Sequence, residues 1–233
     1  MNVKTNKVTI NNLRKIWKQV PPNYYDQGIA NNLLQKLWHS HKLYQIKKLL
    51  SLNTLKKNLY ENSKILDVGC SSGILTAEVS KLLPQSKVTG LDCYKAAIDF
   101  ANSKYPHLTF VMADAHQLPF KNKVFDLVIC TETLEHLVDP ERALLEIKRV
   151  LKNNGFVIIS MDSGNLLFRL VWYFWTKTRG RVWQNAHLHN FNAEILEKLI
   201  LKTGFKIKRK IISHLGMAIT FLAVPEAGNL KTN

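Results

Sequence analysis

An apolar run at residues 65–68 leads into a turn that contains Gly69 and Gly73, and then into a helical pattern. Glycine lets the backbone approach a ligand closely, and the amino end of a helix offers free N–H donors. Asp67, one residue inside the end of this run, is placed to accept hydrogen bonds in the same crevice. The glycines do not follow the G-x-G-x-x-G spacing of a dinucleotide site, so a pyrophosphate cradle is less favoured.

Further acidic residues follow the next two apolar runs. Asp92 comes about 20 residues after the glycine turn, where an acid commonly binds the ribose hydroxyls of an adenine nucleoside. Asp114, followed by Ala115, ends the third run, where a carboxylate can accept a hydrogen bond from an adenine amino group. Because an open α/β sheet binds its ligand at the carboxyl ends of its strands, these residues predict a nucleoside site. The neighbouring residues predicted to contact the same ligand are Cys70, Ser71, Cys93 and Thr131.

A second group of polar residues follows the fourth apolar run. Glu132, Glu135 and His136 stand at positions i, i+3 and i+4, which share one face if the segment forms a helical turn. Two carboxylates and an imidazole suit a divalent cation such as Mg²⁺, which lowers the pKa of a bound hydroxyl. Without a cation, His136 is the best candidate for a general base, because an imidazole titrates near neutral pH.

The elements that must position these residues alternate between strand and helix patterns. Such alternation predicts right-handed crossovers and a mostly parallel sheet with helices on both faces. The sequence Asn153-Asn154-Gly155 predicts a turn that ends the third helix and starts the fifth strand. The predicted strands are 64–68, 87–91, 108–111, 125–130, 156–160, 205–212 and 217–224, and the predicted helices are 32–50, 73–83, 94–104, 141–151 and 193–203.

The charge of the chain divides it into regions. The 33 basic and 17 acidic residues give a net charge of +16, and residues 1–60 hold eleven of the basic residues but a single acid, Asp26. We therefore predict a basic helical extension at 1–60 and a main domain at 61–233. Within that domain, residues 164–190 are rich in aromatic and basic residues and hold no acid, which predicts a lid that can lie on a membrane.

Composition also excludes several classes of protein. No apolar stretch reaches the roughly 18 to 20 residues that a membrane span needs, and the polar, basic start of the chain is unlike a secretory signal. The three cysteines show no C-x-x-C spacing, which argues against a disulfide scaffold or a thiolate zinc site. These features predict a cytoplasmic protein. A basic exterior attracts polyanions, so anionic lipid and RNA are both candidate partners.

The ordered motifs resemble those of the class I S-adenosylmethionine-dependent methyltransferases. The resemblance covers residues 60–160 and rests on the glycine turn with its aspartates, on the run 125–129 and on the segment 150–155. It implies a Rossmann-like sheet of seven strands whose last strand is antiparallel. It also implies that Asp67, Gly69, Cys70 and Gly73 line the methionine end of the donor, that Asp92 binds its ribose, and that Asp114 and Ala115 bind its adenine. Residues 70–72 depart from the family, because most members have another glycine there.

The E-x-x-E-H arrangement resembles two branches of that family. One is the O-methyltransferases of ubiquinone biosynthesis, and the other is the small-RNA 2′-O-methyltransferases, in which a downstream histidine completes a metal site. Here His187 or His189 would supply that ligand, and His189 is the better-placed candidate. Many other small-molecule methyltransferases carry Leu-Glu-His-Leu at this point and use no metal.

These features together predict an enzyme that transfers a methyl group from S-adenosylmethionine to a small-molecule acceptor, a hydroxyl of an aromatic or lipid-like metabolite. His136 and Glu132 are the predicted catalytic residues, and Glu132, Glu135, His136 and His189 the predicted metal ligands. The alternatives are an RNA 2′-O-methyltransferase and a binding protein of the same fold without turnover. The basic flanks and the lid also predict peripheral association with an anionic membrane surface, at its cytoplasmic face.

Overall fold

A seven-stranded sheet forms the centre of the computed structural model, which describes residues 16–52, 55, 59, 61–178, 180–183 and 186–226. Its strands lie in the order β3-β2-β1-β4-β5-β7-β6, and β7 runs antiparallel to both of its neighbours. The first five strands pair in parallel. This topology confirms the predicted Rossmann-like fold with an antiparallel last strand. The strands are β1 (Lys64–Val68), β2 (Lys87–Asp92), β3 (Thr109–Met112), β4 (Phe125–Thr131), β5 (Leu151–Asp162), β6 (Phe205–Ser213) and β7 (Ala218–Pro225).

Helices cover both faces of the sheet. Successive residues of a strand point to opposite faces, so Leu66 packs in the layer that contains Leu144 and Ile200, whereas Ile65 packs in the layer that contains Ile46. Both layers are apolar, as expected for a parallel sheet that is buried on its two sides. The helices are α1 (Tyr24–Asn31), α2 (Leu33–Leu50), α3 (Ile74–Leu82), α4 (Lys95–Lys104), α5 (Pro140–Val150), α6 (Leu166–Lys177) and α7 (Ala193–Lys202).

The basic extension contributes to one of these layers. The side chain of Asn32 caps α2 by accepting hydrogen bonds from two backbone N–H groups, and the last turns of α2 bury Ile46 and Leu49 against the sheet. Residues before α1 reach the main domain, where the Tyr94 hydroxyl donates to the carbonyl oxygen of Val20 over 3.2 Å. Residues 1–15 of the predicted extension lie outside the described residues, and the division of the chain at residue 60 stays a prediction.

The turn expected at residues 153–155 is wrong. Strand β5 begins at Leu151 and runs through these residues to Asp162. Its pairing with β4 shifts register between Phe125 and Leu127, which means that the extra residues of β5 form a bulge-like irregularity inside the strand. A turn-forming sequence therefore bends the strand here without ending it.

The segment predicted as a lid forms α6 and the chain that follows it. One side of α6 is buried, where Phe168 approaches Trp38 of α2 and Trp172 lies near Trp183 and Val20. The other side is exposed to solvent and includes Leu166, at 72% exposure, and Phe174, at 66%. None of the helices in the part of the chain that the structure describes is long and apolar enough to cross a membrane.

Candidate active site

A cavity of about 880 Å³ lies over the carboxyl ends of the central strands. The ends of β1 to β4 form one part of its wall, including Asp67, Asp92, Asp114 and Thr131. The extension and the chain around Trp183 form the other part. The sequence-predicted ligand residues that line this cavity are Asp67, Gly69, Cys70, Ser71, Asp92, Cys93, Asp114, Ala115 and Thr131. Gly73 is not among these lining residues; it lies at the amino end of α3.

The glycine turn is held by the neighbouring strand and by close packing. The N–H groups of Gly69 and Cys70 both donate to the carbonyl oxygen of Leu91, at 2.8 and 3.0 Å. Gly69 has a φ of +79°, and a Cβ atom added there would lie 2.1 Å from Oγ1 of Thr133. A side chain at position 69 is therefore excluded both by the backbone conformation and by Thr133, two residues after the end of β4.

Asp67 is a buried carboxyl at the floor of the cavity. It is 1% exposed and accepts a hydrogen bond from Oγ1 of Thr76, on α3, over 2.6 Å. Burial raises the pKa of Asp67 to about 7, although the bond from Thr76 acts in the opposite direction. A carboxyl in this state gains a full negative charge when a cationic group approaches it.

Asp92 connects the glycine turn to the start of α4. Its Oδ2 accepts from the backbone N–H of Ser71 and its Oδ1 accepts from that of Tyr94, both over 2.9 Å. Burial nevertheless raises the pKa of Asp92. Each oxygen of a carboxylate has two lone pairs, so Asp92 can still accept hydrogen bonds from a pair of hydroxyl groups.

Asp114 stands at the cavity edge with an exposed side chain. Its Oδ1 accepts from both the backbone N–H and the ring Nδ1 of His116, over 2.8 and 2.5 Å. Burial acts to raise the pKa of Asp114, but the two bonds from His116 and the nearby charge of Arg142 lower it overall. Asp114 is therefore a fixed anion at neutral pH.

His136 lines the cavity in a defined protonation state. Its Nδ1 lies 2.9 Å from the carbonyl oxygen of Ala186, and it must donate because a carbonyl only accepts. Burial lowers the pKa of His136, against the opposing effects of that bond and of the Glu132 charge. The ring is therefore neutral, and its Nε2 is left as a proton acceptor.

The helical face expected for Glu132, Glu135 and His136 is wrong. Glu132 has a left-handed φ of +48°, and a short 3₁₀ turn covers only Leu134–His136, so the three residues do not lie on one helical turn. Among the described residues, two other groups bring ligand atoms within 4.8 Å of one another. One group contains Glu135, His136 and His187, and the other contains Glu132, Glu135 and Asp162.

His189, the fourth predicted metal ligand, belongs to neither group. Its backbone N–H donates to the carbonyl oxygen of Glu135, and its ring lies 5.7 Å from that of Phe191. His187 takes the place near His136, with ring centroids 4.9 Å apart. Burial, with a contribution from His136, lowers the pKa of His187 to about 3, so this ring is neutral too.

The carboxylate group around Glu135 is buried and incompletely paired. Glu135 is 2% exposed, and neither of its carboxyl oxygens has a hydrogen-bond partner among the described residues. Burial and the charges of Glu132 and Asp162 raise its pKa well above the usual range. Lys42, a buried residue of α2, lies 2.9 Å from Glu132 and is the cation nearest to this group in the described part of the chain.

Comparisons with known proteins agree with this architecture. Residues 66–159 match a family model described as a methyltransferase domain. Demethylmenaquinone methyltransferase of Lactobacillus johnsonii is 30% identical over 72% of this chain and 68% of its own length. The chain belongs to the class I S-adenosylmethionine-dependent methyltransferases. The mitochondrial ubiquinone biosynthesis O-methyltransferase of Schizosaccharomyces pombe is 33% identical over 50% of this chain and 44% of its own. This methyltransferase spans about half the length of several curated relatives that it matches.

Solved structures share the fold of this methyltransferase. Magnesium protoporphyrin IX methyltransferase of Synechocystis PCC 6803, which was solved with bound S-adenosylhomocysteine, superposes with a TM-score of 0.66 over 90% of this chain and 99% of its own. The PH0226 protein of Pyrococcus horikoshii superposes with a TM-score of 0.65 over 90% and 98%. The identities are 18% and 20%, so these likenesses concern the fold alone.

Several residues that line the methyltransferase cavity were not predicted from the sequence. Tyr25, His39 and Lys42 come from the extension, and Trp183 comes from the chain after α6. Only the aromatic character of these segments could have indicated them, because their contacts join parts of the chain that are far apart. Asp162, which lies beside Glu135 and is not among the lining residues, was also not predicted, because β5 was expected to end at residue 160.

Proposed function

We propose that this chain methylates a hydroxyl group of an aromatic or lipid-like small molecule, with S-adenosylmethionine as the donor. The observation that carries the proposal is the bond from Nδ1 of His136 to the carbonyl oxygen of Ala186, which leaves Nε2 as the possible proton acceptor of a ring that lines the same cavity as the glycine turn and the aspartates. Burial, which lowers the pKa of His136, favours the neutral ring that this role needs. The curated relatives include O-methyltransferases and quinone-related methyltransferases, which support a small-molecule acceptor.

The residues at the strand ends fit the donor. Gly69 lets the glycine turn pack closely against Thr133 at the cavity wall, and the buried Asp67 can bind a cationic amino group. In this proposal Asp92 accepts from the ribose hydroxyls and Asp114 from the adenine amino group. S-adenosylmethionine, when bound, supplies a methyl group that its sulfonium sulfur has already activated for transfer.

The acceptor side of the cavity combines aromatic walls with a base. The ring of Tyr25 lies 6.1 Å from that of Trp183, and Trp183 lies 5.9 Å from His136. Such walls suit a flat or apolar acceptor, because offset and edge contacts between rings are favourable. The task of these residues is to align the acceptor oxygen, exclude water and receive the hydroxyl proton on Nε2 of His136.

A divalent cation is a second element of the proposal. Two of the ligands predicted from the sequence, Glu132 and Glu135, offer carboxylate oxygens within 4.8 Å of each other and of a carboxylate oxygen of Asp162. The unpaired oxygens of Glu135 fit a hard cation such as Mg²⁺, which prefers oxygen ligands. Of the three, Glu132 lines the cavity. A cation held by this group would neutralise the carboxylates and would polarise an acceptor oxygen bound beside Glu132.

The acceptor class is tested by incubating the purified protein with methyl-labelled S-adenosylmethionine and separate lipid, small polar, RNA and protein fractions of a cell extract. We expect label in the lipid or small-molecule fraction. Label confined to RNA would instead support the RNA 2′-O-methyltransferase alternative, and label confined to protein would also reject the proposal. A parallel set of reactions with a chelator shows whether transfer depends on a divalent cation.

Peripheral binding to an anionic membrane completes the proposal. Helix α6 packs against the amino half of α2, where the rings of Phe168 and Trp38 lie 6.3 Å apart, and both helices also carry exposed apolar residues. Helix α6 contains Arg169 and Lys177 and no acidic residue, and the whole chain carries a net charge of +16. We define the apolar surface as the exposed residues Leu33, Leu34, Leu37, Leu166, Leu167, Leu170, Val171, Phe174 and Leu215. An apolar surface with basic residues at its margin suits the interface of an anionic bilayer.

A further inference from the structure

The aspartate proposed to bind the adenine amino group is held in place by a neighbouring histidine. Both hydrogen bonds to Asp114 come from His116 and both end on Oδ1. Among the described residues, no hydrogen bond reaches the Oδ2 atom of Asp114. One oxygen is therefore used to fix the carboxylate, and the other remains able to accept.

The protonation state of His116 follows from its second contact. Its Nε2 lies 3.1 Å from the backbone N–H of Asp139, which can only donate. Nε2 must therefore be the unprotonated nitrogen of the neutral ring, and Nδ1 must carry the proton that is donated to Asp114. The histidine thus connects the carboxylate to the residue that caps α5.

The residue that His116 contacts, Asp139, is itself hydrogen-bonded to the first turn of α5. The side chain of Asp139 caps α5 by accepting from the N–H of Arg142 over 3.0 Å, and Nε of Arg142 donates to the carbonyl oxygen of His116 over 3.0 Å. Further along the same loop, Leu118 donates its N–H to Glu146 of α5. The loop that carries Asp114 is therefore fastened to the first turns of a helix that packs on the sheet.

We infer that His116 is a positioning residue for donor selectivity, which orients Asp114 so that its free oxygen accepts from the 6-amino group of adenine. The inference rests on the proposed function, in which Asp114 contacts the adenine. A side chain that is already fixed loses little conformational entropy on binding, so its hydrogen bond contributes more fully to affinity. The contribution of His116 is thus specific to ligands that carry the amino group.

Two conservative substitutions separate the two contacts of His116. The amide nitrogen of asparagine lies two bonds from Cβ, as Nδ1 does, so His116→Asn keeps a donor toward Asp114. The amide of glutamine lies three bonds from Cβ, as Nε2 does, so His116→Gln keeps the contact with Asp139 and loses the donor. His116→Ala loses both ring contacts and keeps the backbone N–H bond to Asp114. His107→Ala, at an exposed histidine before β3, is the control.

The experiment compares the Kd of S-adenosylhomocysteine with that of its analogue in which hydrogen replaces the 6-amino group, by calorimetry. We expect the wild type and the control to prefer the amino compound by about 10- to 100-fold, as for a hydrogen bond to a charged group. We expect His116→Ala and His116→Gln to lower this preference by about 3- to 10-fold and His116→Asn to keep it within about twofold.

The possible results distinguish this inference from the proposed function. A preference that stays within about twofold of the wild type in both His116→Ala and His116→Gln would overturn the role of His116 and leave the donor site intact. A wild type that binds neither compound would overturn the proposed function, and this inference with it. If His116→Ala does not fold, His116→Gln makes the same comparison, since it retains the link to α5.

Discussion

Nδ1 of His136 donates a hydrogen bond to the carbonyl oxygen of Ala186, 50 positions further along the chain. This bond fixes the ring beside the cavity and decides which nitrogen remains basic. It also connects the 3₁₀ turn after β4 to the segment that follows α6, so that one hydrogen bond joins the proposed base to the aromatic wall around Trp183.

Replacement of His136 separates its structural bond from its chemistry. His136→Asn keeps a donor where Nδ1 stands but removes Nε2, so we expect kcat to fall by about 10²- to 10⁴-fold. We expect the Kd of S-adenosylhomocysteine to change by less than about twofold. Steady-state kinetics and calorimetry measure both, with His107→Ala as the control. Retention of kcat in His136→Asn would exclude His136 as the base.

The pH dependence of kcat gives a second test of the same group. His136 must be neutral to accept a proton, and burial lowers its pKa below the usual 6.5. The acid side of the kcat profile of the wild type is therefore expected below pH 6.5, with a plateau above it. A profile that bends above that value at saturating donor would contradict the neutral, buried base.

Asp67 is expected to make stability fall with rising pH. The ordinary pKa of an aspartate side chain is 3.8, whereas burial raises the pKa of Asp67 to about 7, so the folded state holds one more proton between these values. Over that range the free energy of unfolding contributed by this group falls by about 1.4 kcal/mol per pH unit. Asp67→Asn should remove that slope in urea unfolding between about pH 5 and pH 7. If the free energy of unfolding falls with pH equally in Asp67→Asn and in the wild type, the raised pKa of Asp67 is refuted.

The proposed cation at Glu135 is tested by thermal unfolding. At a Mg²⁺ concentration ten times the Kd, we expect the Tm of the wild type to rise by about 3 to 6 °C. Glu135→Gln should abolish the rise, because an amide cannot give up a proton to become the anionic ligand that the cation needs. Glu194→Gln, at an exposed glutamate paired with Lys198, is the matched control. No effect of Mg²⁺ on the wild type, or an equal effect on Glu135→Gln, would reject the cation site.

The apolar surface is tested with vesicles. Leu170→Asp places a charge on the exposed side of α6, and Leu145→Asp does the same at an equally exposed leucine of α5. We expect Leu170→Asp to weaken sedimentation with vesicles of phosphatidylcholine and phosphatidylglycerol by about tenfold or more. The control should bind like the wild type. Equal loss in both variants, or no binding by the wild type, would contradict the proposed membrane surface.

The sheet and the donor side could be predicted because their signals are local. Strand β1 has the predicted bounds, since a short apolar run between polar residues leaves few alternatives. The glycine turn follows it directly, and the aspartates stand at successive strand ends. Their assignment to parts of the donor stays a prediction, since it comes from the family.

The acceptor side could not be predicted because its contacts are distant in sequence. Lys42 meets Glu132 across 90 positions, and no local pattern indicates such a pair. The left-handed backbone of Glu132 also broke the helical spacing on which the metal set depended. Asp162 was missed for a related reason: β5 was expected to end at residue 160, but pairing with β7 extends it to Asp162, opposite Ala218.

The hydrogen bond from Tyr94 to Val20 links the donor side of the cavity to the acceptor side. Val20 and Tyr25 belong to the same short stretch of chain, and Asp26 of that stretch also forms an ion pair with Lys104 of α4. The segment around Val20 and Tyr25, which lines the acceptor side of the cavity, therefore also contacts Tyr94 and α4 on the donor side. We therefore expect the exchange of donor and acceptor to be coupled. S-adenosylhomocysteine would leave only after the segment around Val20 and Tyr25 has moved away from the cavity.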